Sequence, residues 1–351
     1  MGGGYWDVHD YSSRVTAKKA AGKDIFDYDA TVRRTGIYNV HESLDPKKLN
    51  AAGKNVREAF DSDDHPDSLP IAVLFDVTGS MGGIPRVLQQ KLPQLHGMLQ
   101  RKGYVEHPQL LFGGIGDAYC DKVPLQIGQF ESDNRGDEQL ENMYLEGGGG
   151  GGNHESYEQA MYYMARHTDL DSLKKRGKKG YLFIIGDERV YSYVDLMQVR
   201  RLIGDGPQTS IATADIVAEL KEKFEVYFVF AAEGSYRPEQ TLFDGGSVSY
   251  HGTHNDQVCY WRDLLGQNAI VLEDADLVCE TIALTLGLSE GVVDLSDGLL
   301  DLAEFGVDDR ACAVVGNTLA KTGVAVNAAV ASAVSGSLPP TDEGAGGATR
   351  L

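Results

Sequence analysis

The chain has 351 residues, of which 42% are hydrophobic, enough for one large α/β domain with extensions and too apolar for global disorder. Its formal net charge of −20 argues against nucleic acid and anionic membranes, which need a basic face, and suits cations or basic proteins, although most of it serves solubility. Cys120, Cys259, Cys279 and Cys312 form no CxxC pair and read as free thiols in a reducing compartment; with no signal-peptide pattern or membrane-length apolar run, a cytoplasmic location, or membership of a particle assembled there, is expected.

Residues 1–68 lack strand-like runs and are expected to form an N-terminal extension. Within it, Asp45-Pro46 reads as a cap and first-turn proline opening a helix towards Phe60. The acidic run from Asp61 to Asp67 reads as a solvated loop. Ile71-Ala72-Val73-Leu74-Phe75 then predicts a strand buried on both faces, delivering Asp76, Thr78 and Ser80 to the carboxyl edge of a parallel sheet. Apolar positions from Ile84 to Leu99 follow a helical period, with a kink expected at Pro93 and an end at Gly103. Gln109–Asp117 and Val123–Phe130 read as a strand pair, Asp117 topping the first as a neighbour of the site or as a turn cap.

Six glycines, Gly147 to Gly152, precede Asn153-His154-Glu155-Ser156 and a helix face of Tyr157, Ala160, Met161 and Met164. No Lys-Ser or Lys-Thr follows the glycines, so a nucleotide P-loop is rejected. Tyr181-Leu182-Phe183-Ile184-Ile185-Gly186-Asp187-Glu188 predicts a second buried strand ending in carboxylates. A helix from Ile211, strands at Phe224–Ala232 and Ala269–Leu272, and a helix from Leu277 complete a doubly wound domain over 69–290. Beyond it, 291–334 reads as a small helical extension, with one Ala/Val-rich helix from Ala311 to Val334, and 335–351 as a disordered tail. His251, His254 and Cys259 lack the spacing of a zinc site, and Asp294–Gly298 does not fit an EF-hand.

Asp76, Thr78 and Ser80 are hard oxygen groups suited to Mg²⁺, Mn²⁺ or Ca²⁺. Their spacing resembles the DxSxS signature of von Willebrand factor A (VWA) domains, with Thr78 in place of a serine. The resemblance covers nearly all of 69–290 and implies a Rossmann-like α/β fold, mostly parallel with one antiparallel edge strand and helices on both faces. It also implies a metal-ion-dependent adhesion site in which Asp187 supplies the distal carboxylate. For the loop ligand, Ser156 holds the place of the family's threonine, whereas intracellular VWA groups with an acidic Gly-rich loop match Asn153 and Glu155 better. The sequence leaves that choice open.

Such a site binds rather than catalyses: an Asp or Glu of a partner protein completes the ion's shell. The resemblance is to intracellular VWA proteins of bacteria and phages, several of which are adaptors beside AAA+ ATPases. A structural or assembly protein, for example of a phage particle, is the alternative. A Mg²⁺-dependent phosphatase of the haloacid-dehalogenase type needs a second aspartate where this chain has Thr78, and no acid–base pair stands out.

Overall fold

The computed structural model describes residues 4–81, 83–148, 154–231 and 254–324. Six strands form the central sheet: β1 (Leu69–Asp76), β2 (Pro108–Ile115), β3 (Leu125–Ile127), β4 (Gly180–Gly186), β5 (Phe224–Ala231) and β6 (Ala269–Leu272). Their spatial order is β6-β5-β4-β1-β2-β3. All neighbours are parallel except β2 and β3, which pair antiparallel at the edge. This is the doubly wound arrangement expected above, and the winding reverses between β1 and β4.

Every residue of β1 and β4 is buried, as a strand covered by helices on both faces must be. Side chains alternate between those faces. Ile71, Val73 and Phe75 join a core with Leu88 and Leu92 of α3 (Ile84–His96) and Ile282 and Leu286 of α10 (Val278–Ser289). Ala72, Leu74, Leu182 and Ile184 join the opposite core with α5 (Tyr157–Arg166), α8 (Thr213–Lys223) and Trp261 of α9 (His254–Leu265). Alternation therefore sends Asp76 and Gly186 to the α5 face.

The described segments before and after the sheet domain pack on the first of these cores. Tyr11 of α1 (Val8–Ala20) and Phe26 are buried in it, and the Trp6 ring stacks on His96 at 4.5 Å. After β6, the chain adds α11 (Leu295–Glu304) and α12 (Asp309–Leu319), whose Leu302, Val315 and Leu319 are buried in the same core. Asp294 caps α11 through the Asp297 N–H at 2.9 Å.

Three local expectations need correction. No helix follows Asp45-Pro46. Asp45 and Asn50 instead turn their side chains onto the N–H groups of Lys47, Ala52 and Lys54, the local bonding that competes with helix. The buried Arg57 guanidinium then gathers this stretch by donating to the carbonyls of Asp45, Lys48, Ile127 and Gly128. The extension also contains a short strand, Arg57–Ala59, parallel to Thr168–Leu170. Lastly, the helix placed at Ala311–Val334 starts at Asp309 and ends at Leu319, where Thr322 turns its hydroxyl onto the Leu319 carbonyl. Residues 325–334 and the tail lie outside the described residues. α3 runs through Pro93 and widens into a π turn at Gly97–Arg101. Gly103 follows at φ +73°.

Candidate metal centre

β1 carries Asp76, buried with no exposure, to the carboxyl rim of the sheet. Its Oδ1 accepts the Thr78 N–H at 2.7 Å and the Thr78 hydroxyl at 2.6 Å. A single 3₁₀ turn, Gly79–Met81, then brings Ser80 back over the strand end. Ser80 Oγ lies 3.2 Å from Thr78 Oγ1 and donates to Asp187 Oδ1 at 3.2 Å. Asp187 follows β4, next to β1 in the sheet, and is itself buried. The two strand-end aspartates, 111 positions apart in sequence, are thus joined by a chain of oxygens. Asp76, Thr78, Ser80 and Asp187 come together as the sequence spacing predicts.

Two further side chains at the rim escape sequence reasoning. Tyr157, fully buried at the start of α5, donates its phenol proton to Asp76 Oδ2 at 3.0 Å. Glu188 accepts the Gln257 amide at 2.8 Å, and its carbonyl accepts the Trp261 indole N–H at 2.9 Å. Tyr157 sits on an apolar helical face and reads as core, so nothing in its spacing marks it. Glu188 adjoins Asp187 but points to α9, a helix whose arrival at this rim only the fold reveals.

The glycine loop touches the same turn. The Gly79 N–H donates to the Gly148 carbonyl at 3.2 Å, and a Cβ on Gly79 would sit 3.1 Å from the Gly147 carbonyl oxygen. Gly147 has φ +63°, a conformation glycine adopts without strain. Asn153 lies outside the described residues. Glu155 is buried, and no hydrogen bond reaches its Oε2 among the described residues. Ser156 occupies the cap position of α5, yet its hydroxyl makes no bond to the helix. Ser156 Oγ instead accepts the Ala118 N–H at 2.9 Å and lies 3.5 Å from Asp117 Oδ1. Asp117 also accepts the Tyr119 N–H and the Tyr191 hydroxyl, so it ties the end of β2 to the start of α5.

Electrostatics follow from this crowding. Burial, then the charge of Asp187, pushes the Asp76 carboxyl up to about 7. Burial and the charge of Asp76 push Glu155 up to about 10. Glu188 rises to about 7 through burial and the charge of Asp187. Carboxyl groups are concentrated in a dry place, where negative charge is costly without compensation.

No protein-family model matches the chain, and no curated protein sequence matches it either. Among solved structures it overlays on the pilus adhesin SpaC from Lactobacillus rhamnosus GG with a TM-score of 0.44 at 10% identity, covering 63% of this chain and 31% of the adhesin. Proximal thread matrix protein 1 from the mussel byssus gives 0.38 at 10% identity, covering 65% of this chain and 50% of that one. BatB from Bacteroides thetaiotaomicron gives 0.36 at 10% identity over 62% of this chain and 96% of BatB. The chain spans about a third of the adhesin's length. At such identities and scores, nothing about metal, partner or activity transfers from these proteins. The strand order and registers themselves define the fold.

A cation at this rim would have at most two carboxylates beside it and would have to add hydroxyl and water oxygens. Among the described residues, no three His, Cys, Asp or Glu side chains are grouped so that they could hold a metal ion. The hydroxyls fit that role. The Thr78 proton is directed to Asp76 and the Ser80 proton to Asp187, since a carboxylate is the stronger acceptor. Each oxygen keeps a lone pair, and the two oxygens are 3.2 Å apart. Adjacent ligand oxygens around an octahedral Mg²⁺ lie about 3 Å apart, and around the larger Ca²⁺ somewhat more.

Proposed function

We propose that the chain is a protein-binding module, an adaptor or scaffold, whose contact is a divalent cation seated on Thr78 and Ser80. Mg²⁺ or Mn²⁺ is the expected ion, with Ca²⁺ as the competitor. What supports the reading most is the pair of hydroxyl oxygens 3.2 Å apart, each with a carboxylate to take its proton. Neither oxygen needs to donate to the other, so their lone pairs converge on a point that calls for positive charge. Asp76 and Asp187 supply negative charge from behind the hydroxyls. The ion's own charge is then only partly neutralised, which leaves it electrophilic towards an outside oxygen.

A glutamate or aspartate of a partner protein would provide that oxygen. The VWA resemblance favours the same chemistry and names an AAA+ ATPase as one candidate partner. Phosphatase chemistry is not part of this reading, because Thr78, whose proton is directed to Asp76, stands where the general acid would be.

Calorimetric titration with Mg²⁺ and Mn²⁺ tests the seat. Heat of binding is expected in the wild type and none in Asp76→Ala; a silent wild-type titration removes the proposal. A pull-down from the native host with and without EDTA tests the partner. A protein released by EDTA supports the adaptor, whereas recovery in a virion or polymer that ignores EDTA favours assembly contacts.

A further inference from the structure

The glycines from Gly147 to Gly152 offer no side chain by which to be held. Main-chain bonds, and the residues leading into the loop, must therefore set where it begins. A helix of the N-terminal extension, α2 (Asp27–Thr35), supplies that hold. Its Val32 is buried in a small cluster with Tyr144 and Val123. Asp29 Oδ1 accepts the Leu145 N–H at 3.1 Å, and Arg33 Nη2 donates to the Leu145 carbonyl. Arg33 Nε also donates to Asp29 Oδ2 at 2.9 Å. Two side chains one helical turn apart thus close a ring on both polar main-chain groups of one residue. The same guanidinium lies over the Tyr144 ring, 5.5 Å from its centroid, and 3.1 Å from where a Cβ of Gly147 would stand.

We propose that Asp29 and Arg33 are positioning residues for the cation seat: they fix the start of the glycine loop, and the loop braces the turn that carries Thr78 and Ser80. This rests on the seat proposed above. The Gly147 N–H donates to the Val77 carbonyl at 3.4 Å, and the Gly148 carbonyl accepts the Gly79 N–H at 3.2 Å. Those two bonds fall on the residues either side of Thr78. One ion can use both hydroxyls only while they stay 3.2 Å apart, and the residue between them in the chain is Gly79. Glycine loses more conformational freedom on ordering than any other residue. Bonds that order Gly79 before the ion arrives therefore lower the cost of binding. The N-terminal extension enters the site in this way without touching the ion.

Two measurements on the full chain test this. Asp61→Asn serves as the comparison, because it removes another ion pair of the extension, that of Asp61 with Arg176 at 2.7 Å. In EDTA, hydrogen exchange at the Gly79 N–H reads the brace without any metal. Arg33→Ala should speed it roughly three- to tenfold, the scale of one net hydrogen bond, and Asp61→Asn should leave it at the wild-type rate. Calorimetric titration with Mg²⁺ then reads the seat, where affinity should fall by a similar factor in Arg33→Ala and hold in Asp61→Asn. Removing a positive charge would by itself raise affinity for a cation, so a fall reports position. Asp29→Asn, which keeps an acceptor for the Leu145 N–H but loses the charged pair, should give a smaller loss and stands in should Arg33→Ala fold poorly. Unchanged exchange in Arg33→Ala, or equal acceleration in Asp61→Asn, overturns the clamp. Faster exchange with unchanged Mg²⁺ affinity overturns its role at the seat while leaving the seat in place. A wild type that gives no heat with Mg²⁺ removes the seat and the positioning role together.

Discussion

The two rims of the sheet are both acidic, but they handle the charge in opposite ways. At the amino rim, six carboxylates pair with cations from the chain itself. Asp61 accepts from Arg176 at 2.7 Å and lies 3.2 Å from Lys175, Asp171 pairs with Lys175, Asp169 with Lys174, Glu225 with Lys179, and Glu290 with Lys178. At the carboxyl rim, the donors that reach Asp76, Asp187 and Glu188 include hydroxyls, a phenol and an amide, from Thr78, Ser80, Tyr157 and Gln257. Arg176 holds Asp61 well below the usual carboxylate range, whereas burial and Asp187 push Asp76 up to about 7. The amino-rim pairs are neutralised by cations of the chain itself, whereas the hydrogen bonds to Asp76 at the carboxyl rim come from the neutral donors Thr78 and Tyr157.

The largest test of this contrast is a thermal or urea melt with Mg²⁺. At a hundred times the dissociation constant, the ion should stabilise the wild type by about 2.7 kcal/mol, and Asp76→Ala should erase the gain. Asp61→Asn should lower the baseline by roughly 1–3 kcal/mol, since it removes charged hydrogen bonds, yet keep the full Mg²⁺ gain. Equal Mg²⁺ responses in both variants would dissolve the distinction between the rims.

The second test is pH in EDTA, where the two rims should differ in sign. Asp76 holds its proton more tightly folded than unfolded, where its value is about 3.9, so its contribution to stability rises as pH falls from about 8 to 5. Asp61 behaves oppositely. Its folded value lies below the unfolded one, so its stabilisation is present above about pH 4 and is lost as pH falls through the folded value. Urea melts should therefore show Asp76→Asn gaining on the wild type at pH 8 and losing that advantage by pH 5. A wild-type-to-variant gap that ignores pH would mean that Asp76 carries no such strain. Saturating Mg²⁺ should flatten the effect.

The smallest test is local. Gly147→Ala places a side chain at φ +63°, beside Arg33, and should cost about 1 kcal/mol in a melt with EDTA. Because Gly147 and Gly148 lie against the Thr78–Ser80 turn, a modest loss of Mg²⁺ affinity should accompany it. Titration of that variant with unchanged affinity would separate the glycine loop from the seat.

Much of the scaffold could be read from residues, because its signals are intense and local. Ile71–Phe75 and Tyr181–Ile185 are uninterrupted apolar runs, and a strand buried on both faces leaves no other pattern. Their adjacency followed from the winding order, which brought Asp76 and Asp187 to one rim. The stretch after Asp45-Pro46 failed for the opposite reason. Its helix-start signal is shared by turns that Asx side chains make on their own, and a distant buried arginine settled the outcome. Ser156 shows a subtler limit: its place at the helix start was read correctly, but the direction of its hydroxyl is set by Asp117 and the Ala118 N–H. Tyr157 was invisible as a partner of Asp76, since a tyrosine that fills a core and one that also donates into a polar rim have the same periodicity.

Arg57 carries one more implication. All four of its hydrogen-bond acceptors are main-chain oxygens, a feature that every amino acid shares. Arg57 therefore grips the segment from Asp45 to Lys48 by its backbone, while the Asp45 side chain shapes the turn locally. Apart from Asp45, the side chains of the segment could drift while its path stayed fixed. Position 57 would be the exception, because a lysine there, with three donors on one nitrogen, cannot span carbonyls that a planar guanidinium reaches from separate sides.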